Sequence, residues 1–314
     1  MNPPRDPDRP AGANGASTAD ETVLDLGTRR AGSRGHASGG RALEVALATD
    51  VGRVRRINED YVGAALVAAA DGREFGLWLV ADGVGGGPRG EHASRLAVET
   101  VIDTMTHDRW ADPARALTNA FAVANRNVFD LSGNGATSTT LVVALVCEAD
   151  GAVFIANVGD SRAYLVSGGE AKPITDDHSV VAARVAAGHI TAAEARTAPD
   201  RNVLTRSVGS EREVLVDLFG PRQLLHGERL VLCSDGIHGM IDDTAIARIV
   251  DARPIADAAG ALVVAAVDAG GRDNATALVG GRAQLPAQEP TSAPGAESQP
   301  AARQRGWGPF RRGG

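Results

Sequence analysis

The chain is poor in several residue types, and each shortage excludes something. Two cysteines, Cys147 and Cys233, stand in 314 residues, each beside a strand-like apolar run. That rules out a disulfide framework and reads as a reduced, cytoplasmic thiol pair. Apolar runs such as Leu141 to Cys147 and Ala261 to Val267 stop at seven residues, whereas a bilayer span needs about 20; no integral membrane segment is expected. The opening MNPPRDPDRP has no apolar stretch of the secretory kind. Lys172 is the only lysine among 32 basic residues, which carries no functional weight. The seven histidines are scattered without a His-x3-His pair, so a zinc site is not expected. No Gly-x-Ser-x-Gly elbow occurs, and GATSTT (135–140) lacks the Gly-Lys-Ser/Thr ending of a phosphate loop. GVGGGPRG (83–90) matches a dinucleotide fingerprint only superficially.

What is present divides into three stretches. Residues 1–40 and 282–314 are rich in Gly, Ala, Pro, Ser and Arg and lack apolar periodicity. Such segments bury too little apolar surface to offset chain entropy, so both are expected to be disordered. Residues 41–281 are long enough for one domain with a large core. The total charge of −7 comprises zero over 1–40 and +3 over 282–314, leaving −10 for the middle. A stretch this acidic argues against a nucleic-acid partner and suits carboxylates gathered around cations.

Short runs rich in Val, Ile and Leu, at 77–81, 141–147, 152–157, 163–167, 229–233 and 275–279, read as strands. The 152–157 and 163–167 runs, five residues apart, are expected to pair as antiparallel neighbours. Helical patterns fall at 91–105, 112–131, 180–188, 192–196, 244–250 and 255–269, with Asp112 capping the second ahead of Pro113. The class is α+β, with antiparallel sheets packed together and helices outside.

Four strand-like runs carry an aspartate near one end: Asp82, Asp160, Asp235 and Asp273; RRINED adds Glu59 and Asp60. Singly, each is explained by turn chemistry. Together they can converge where strands end side by side, and clustered carboxylates repel unless protonated or neutralised by a cation. A hard divalent metal with oxygen ligands is the natural partner. Gly83, Gly85, Gly86 and Gly87 allow close backbone approach. Arg55 suits bidentate phosphate binding, or a structural ion pair with Glu59 or Asp60.

Eight motifs run in one order: VRRINED (54–60), VADGVGG (80–86), GATSTTLVV (135–143), NVGDSRAY (157–164), TDDHS (175–179), RNVLTRSVG (201–209), LCSDG (232–236) and GGRDNAT (270–276). This set resembles the metal-dependent protein phosphatases, the type 2C serine/threonine family, in a bacterial form. The resemblance implies a four-layer α-β-β-α sandwich of two antiparallel sheets flanked by helices. It implies two divalent cations, Mn²⁺ or Mg²⁺, with Asp82 bridging them. Asp235 and Asp273 would complete the first ion's ligands. The Gly83 carbonyl would serve the second, with Glu59 or Asp60. Arg55 would hold the substrate phosphate, with Asp160 and Asn274 in support. It further implies in-line attack of a metal-bridging hydroxide on phosphoseryl and phosphothreonyl proteins, the targets of serine/threonine kinases. Gly239, Ser132 and Gly133 stand where many members carry acids for a third metal, so that site is expected to be weak or absent, with His238 a partial substitute or simply a surface or core histidine. Val84 stands where some relatives have a histidine. Two other readings are a pseudophosphatase that binds phosphoproteins without turnover and a hydrolase of small phosphate esters. Thr22 is a candidate kinase target, and the basic end with Trp307 and Phe310 a candidate docking tail.

Overall fold

The computed structural model describes residues 23–25, 33–37, 42–85, 88–132 and 136–283. Thr22 and the 282–314 tail beyond Ala283 lie outside these residues, as do most of 1–40 and the glycines Gly86 and Gly87. Two antiparallel sheets dominate. The first runs in the order β1 (Val23–Asp25), β4 (Asp60–Ala68), β5 (Glu74–Val84), β7 (Leu141–Cys147), β8 (Ala152–Val158) and β11 (Asp217–Gln223), with the two-residue β6 (Ser138–Thr139) beside the end of β5. The second runs β10 (Glu170–Pro173), β9 (Arg162–Ser167), β12 (Arg229–Cys233), β13 (Ala275–Arg282), β3 (Leu43–Asp50) and β2 (Ser33–Ala37). The helices are α1 (Pro88–His107), α2 (Pro113–Ser132), α3 (Val180–Ala186), α4 (Ala192–Thr197), α5 (Asp235–His238), α6 (Asp243–Asp251) and α7 (Ile255–Asp268).

The central strands are apolar at every position because both their faces are covered. Alternate side chains of a strand point to opposite faces. Leu77, Leu79, Leu141 and Val143 therefore pack under α1 and α2, against Ala97, Val101, Met105 and Phe121. Their neighbours Trp78, Val80, Val142 and Ala144 fill the space between the sheets, against Leu47, Leu230 and Leu278. On the far side Val231, Ala277 and Val279 pack beneath α6 and α7, against Ile246, Val250 and Leu262. These layers form the expected four-layer sandwich. Each fully buried Leu, Val or Phe side chain contributes roughly 1.5–3 kcal/mol, so the three apolar layers supply the main driving force. Asp112 caps α2 as expected: its Oδ1 accepts from Ala114 N at 2.9 Å and Arg115 N at 3.2 Å.

One expectation is corrected. The 152–157 and 163–167 runs do not pair; β8 lies in the first sheet and β9 in the second. The intervening turn crosses between the sheets at Gly159, whose φ is +109°. His178 pins that turn, its Nδ1 accepting from Gly159 N and its own N–H reaching Gly159 O, both at 3.0 Å. Spacing alone cannot tell a hairpin from such a crossing. The short strands β1 and β2 also fall inside 1–40, pairing with β4 and β3. Edge strands present unpaired backbone groups that added strands satisfy.

Candidate active site

The two sheets open at one edge into a cleft of about 230 Å³. Arg55, Glu59, Asp82, Gly83, Asp160, Asp235, Asp273 and Asn274 all line it. Each arrives for a local reason. Asp82 lies near the end of β5, and its backbone is fastened on both sides: its N–H donates to Thr140 Oγ1 at 2.8 Å, and its carbonyl accepts from Thr140 N at 2.8 Å and Thr139 Oγ1 at 2.9 Å. Asp160 follows the Gly159 crossing, which carries it from one sheet toward the other. Asp235 opens α5 directly after β12, and Asp273 precedes β13. Gly236 lets those two segments meet, because a Cβ there would stand 1.7 Å from the Asn274 carbonyl oxygen.

Asn274 fastens the 51–59 loop. Its Oδ1 accepts from Glu59 N at 2.8 Å, and its Nδ2 donates to the carbonyls of Val51 at 2.9 Å and Ile57 at 3.0 Å. The Glu59 carbonyl accepts from Ser94 Oγ at 2.6 Å and from Gly83 N at 3.0 Å. This loop carries Arg55 to the mouth, where the guanidinium lies 2.7 Å from Asp273 Oδ2 and 3.8 Å from Glu59 Oε2. The expected ion pair with Glu59 is thus present, but Asp273 is the nearer partner. The Arg55 side chain keeps 42% exposure and so faces incoming anions.

Asp60 is not in the cleft. It pairs with Asp82 across β4 and β5 and lies behind it, buried, its Oδ2 accepting from Ser234 Oγ at 2.7 Å. The two neighbours thus take different surroundings: Glu59 lines the cleft and Asp60 lies behind it. A polar seam backs the site, with Asn58 Nδ2 donating to Thr49 Oγ1 and Thr49 bonded to Thr276 Oγ1. Thr140, Ser234, Asn202 and Leu204 also line or back the site and carry no role in the sequence reading. All four nonetheless lie within the motifs: Thr140 in GATSTTLVV, Asn202 and Leu204 in RNVLTRSVG, and Ser234 in LCSDG beside Asp235.

Burial and crowding dominate the electrostatics. The carboxyls of Asp82 and Asp160 are pushed well above the usual carboxylate range, first by burial and then by neighbouring aspartates. Asp60 and Asp235 are raised for the same two reasons. Asp235 is partly relieved by a hydrogen bond with Asp82 and by the guanidinium charges of Arg55 and Arg201. Such a group is costly while ionised and uncompensated. The donor set is all oxygen, which suits a hard divalent cation. Behind the cleft, Asp60 Oδ1 is buried with no hydrogen-bond partner. Among the described residues, no three His, Cys, Asp or Glu side chains are already closed around one point: Asp273 faces Arg55, and Asp60 faces Ser234. The donor chemistry fits divalent cations, with Asp273 having to exchange its hold on Arg55.

The position of the third acid is also visible. Gly239 closes α5, its N–H on the Asp235 carbonyl at 2.8 Å. His238 is buried, its Nε2 3.0 Å from the Asp160 carbonyl oxygen. Burial pushes its pKa down to about 3, so it stands as a neutral core histidine.

Comparison with known proteins gives a consistent picture. The family model described as protein phosphatase 2C matches residues 53–262. The protein phosphatase PhpP of Streptococcus pneumoniae is 36% identical over 247 residues, covering 74% of this chain and 95% of that protein. The serine/threonine phosphatase of S. agalactiae superposes with a TM-score of 0.69 at 29% identity, covering 77% of this chain and all of that one. The catalytic domain of the serine/threonine protein phosphatase PstP, solved in complex with two manganese ions, superposes with a TM-score of 0.62 at 29% identity, over 76% of this chain and 97% of that one.

Proposed function

The chain belongs to the protein phosphatase 2C family and is a protein serine/threonine phosphatase, and from that premise we propose that its inter-sheet cleft hydrolyses phosphoseryl and phosphothreonyl proteins with the help of two divalent cations, Mn²⁺ or Mg²⁺. The observation that carries this reading is the set of buried, mutually repelling carboxylates at the sheet edge with Arg55 at their mouth.

Asp82, fastened at both backbone atoms, would be shared between the two cations. Asp235 and Asp273 would hold one, and Glu59 with the Gly83 carbonyl the other. Asp60 would act from behind, its Ser234 bond fixing one oxygen. When bound there, divalent ions supply Lewis acidity and a water of lowered pKa. The protein's own residues do the rest. Arg55 presents a planar fork to the phosphate and offsets charge on its oxygens. Thr140 is no candidate nucleophile, because its hydroxyl is shared between Asp82 N and Ser161 Oγ at 2.7 Å. The attacking oxygen is assigned to water, as the family resemblance implies. Asp160 and Asn274 support the site, the latter through the Arg55 loop. Gly239 offers no side-chain oxygen, which favours two cations over three. The catalytic domain is placed at 41–281. Its substrates are the products of serine/threonine kinases. Among the described residues no helix is long and apolar enough to cross a membrane.

The test is phosphate release from a phosphothreonine peptide with Mn²⁺ added. The Asp82→Ala protein is expected to lose activity by on the order of 10³-fold. Release no greater from the unsubstituted protein than from that variant would refute the assignment.

A further inference from the structure

A second cleft, of about 470 Å³, opens beside the first. Asp160, Asn202 and Asp235 line both, so the two adjoin. One wall is the α3–α4 pair, which presents the small apolar side chains Val185, Ala186, Ala192 and Ala195. That wall is fixed in place. Ser179 caps α3, and Thr191 with Glu194 forms a capping box on α4. Arg184 pairs with Asp200 at 3.0 Å, and Val180 N donates to Val203 O at 2.9 Å.

The charges at its rim are unequally committed. Arg162 is spent, with two 2.7 Å bonds to Asp177 and one of 2.9 Å to Tyr164. Arg196 gives one N–H to the His238 carbonyl at 3.4 Å, and a guanidinium has five to give. Arg201 is exposed, its neighbour Asp200 is taken by Arg184, and its charge reaches Asp235 without a hydrogen bond to it among those described. The acids in the same lining are Asp177, held by Arg162, Asp160 and Asp235, shared with the first cleft, Asp176, which is exposed after β10, and Asp243, which opens α6 and accepts from the Tyr164 hydroxyl at 3.2 Å.

We propose that this second cleft seats the stretch of phosphoprotein chain adjoining the phosphoresidue, and that Arg196 and Arg201 select an acidic side chain in that stretch. The proposal rests on the phosphatase reading above and deepens it. A chain held by its phosphate at Arg55 runs past Asn202 straight into the second cleft. The alanine-lined wall leaves room for backbone and a modest side chain. The two guanidiniums then meet a carboxylate placed near α4, while Asp176 and Asp243 repel one placed toward β10 or α6, so the acid is accepted in one register.

The experiment measures kcat/KM on phosphothreonine peptides carrying Glu, Ala or Lys in turn at each flanking position, with p-nitrophenyl phosphate alongside. The expected result is a Glu-over-Ala preference of about 2–5-fold at one or two adjacent positions, the size of exposed ion pairs. In the Arg196→Glu/Arg201→Glu protein that preference inverts toward Lys. Ala186→Trp, which fills the cleft from an exposed helix position, lowers the ratio of peptide to p-nitrophenyl phosphate turnover through KM. No charge preference at any position, a preference for Lys in the unsubstituted protein, or a Glu preference that survives the double substitution would each overturn the proposal. Failure of the unsubstituted protein on p-nitrophenyl phosphate as well as on every peptide would overturn the phosphatase reading, and this inference with it.

Discussion

Asn274 is the most economical place to test how the fold holds the site. Asn274→Ala removes three hydrogen bonds at once, to Glu59 N, Val51 O and Ile57 O. All three partners are backbone groups of one loop, more than 200 residues away in sequence. Asn274 is 3% exposed, so water does not readily replace the lost amide. Orphaning a buried polar group costs about 1–3 kcal/mol. Taking the lower end for each gives about 3 kcal/mol. A domain of about 240 residues has an unfolding entropy near 0.5 kcal/mol/K, on about 2.1 cal/mol/K per residue. The expected fall in Tm is therefore about 6 °C, read by differential scanning calorimetry. The same loop carries Arg55 and Glu59, so KM for a phosphopeptide should rise as well. Asn274→Asp keeps the acceptor for Glu59 N but loses both donated bonds and adds a carboxylate beside Asp273; it should be no better than alanine. A Tm within about 1 °C of the unsubstituted protein in both variants would show that the loop is held by something else.

Other expectations follow from burial and charge. In protein stripped of cations, Asp60 is raised from 3.8 to about 7 and Asp235 to about 6. The folded state then keeps protons that the unfolded chain releases, so stability from these groups falls as pH rises from about 4 to about 7. Added Mn²⁺ should accordingly raise Tm more at pH 8 than at pH 5, and an equal gain at both would contradict the carboxylate assignment. His238 acts with the opposite sign. Its pKa drops from 6.5 to about 3 on folding, so its contribution is complete above pH 6.5 and is lost as pH falls toward 3. By linkage the loss at pH 5 is about 2 kcal/mol, and His238→Gln should remove that part of the acid-side slope in urea titrations. Gly280→Ala would place a Cβ 2.5 Å from the Trp78 ring between the sheets; overpacking of this kind costs about 1–3 kcal/mol, and kcat should stay unchanged because Trp78 lies in the inter-sheet core.

How far the sequence could be read depended on whether neighbours or distant partners set the outcome. The strand of Leu141–Cys147 was legible because burial on both faces leaves an unbroken apolar run. Helix α2 was legible from its cap and its apolar spacing. The aspartates Asp82, Asp235 and Asp273 were visible as acids at strand ends, and the cleft gathers all three at its lining. The β8–β9 crossing was not legible, since its five residues suit a hairpin equally well and only pairing with β11 and β12 decides otherwise. Strands β10 and β11 lack apolar runs because most of their side chains are partly or fully exposed.

That misread crossing bears directly on the site. Had β8 and β9 formed a hairpin within one sheet, Asp160 would cap a surface turn. Because the chain changes sheet at Gly159, Asp160 is brought to the edge where Asp82 of the first sheet meets Asp235, which opens α5 just past β12 of the second. The carboxylate cluster thus depends on contributions from both sheets, and the sandwich interior of Trp78, Val142, Leu230 and Leu278 holds those contributions in register. Cluster repulsion works against this closure, and the apolar layer opposes it. Cations that neutralise the carboxylates would therefore stabilise the edge of the sandwich as well as the chemistry within it, linking the metal dependence of stability to that of activity through the same side chains.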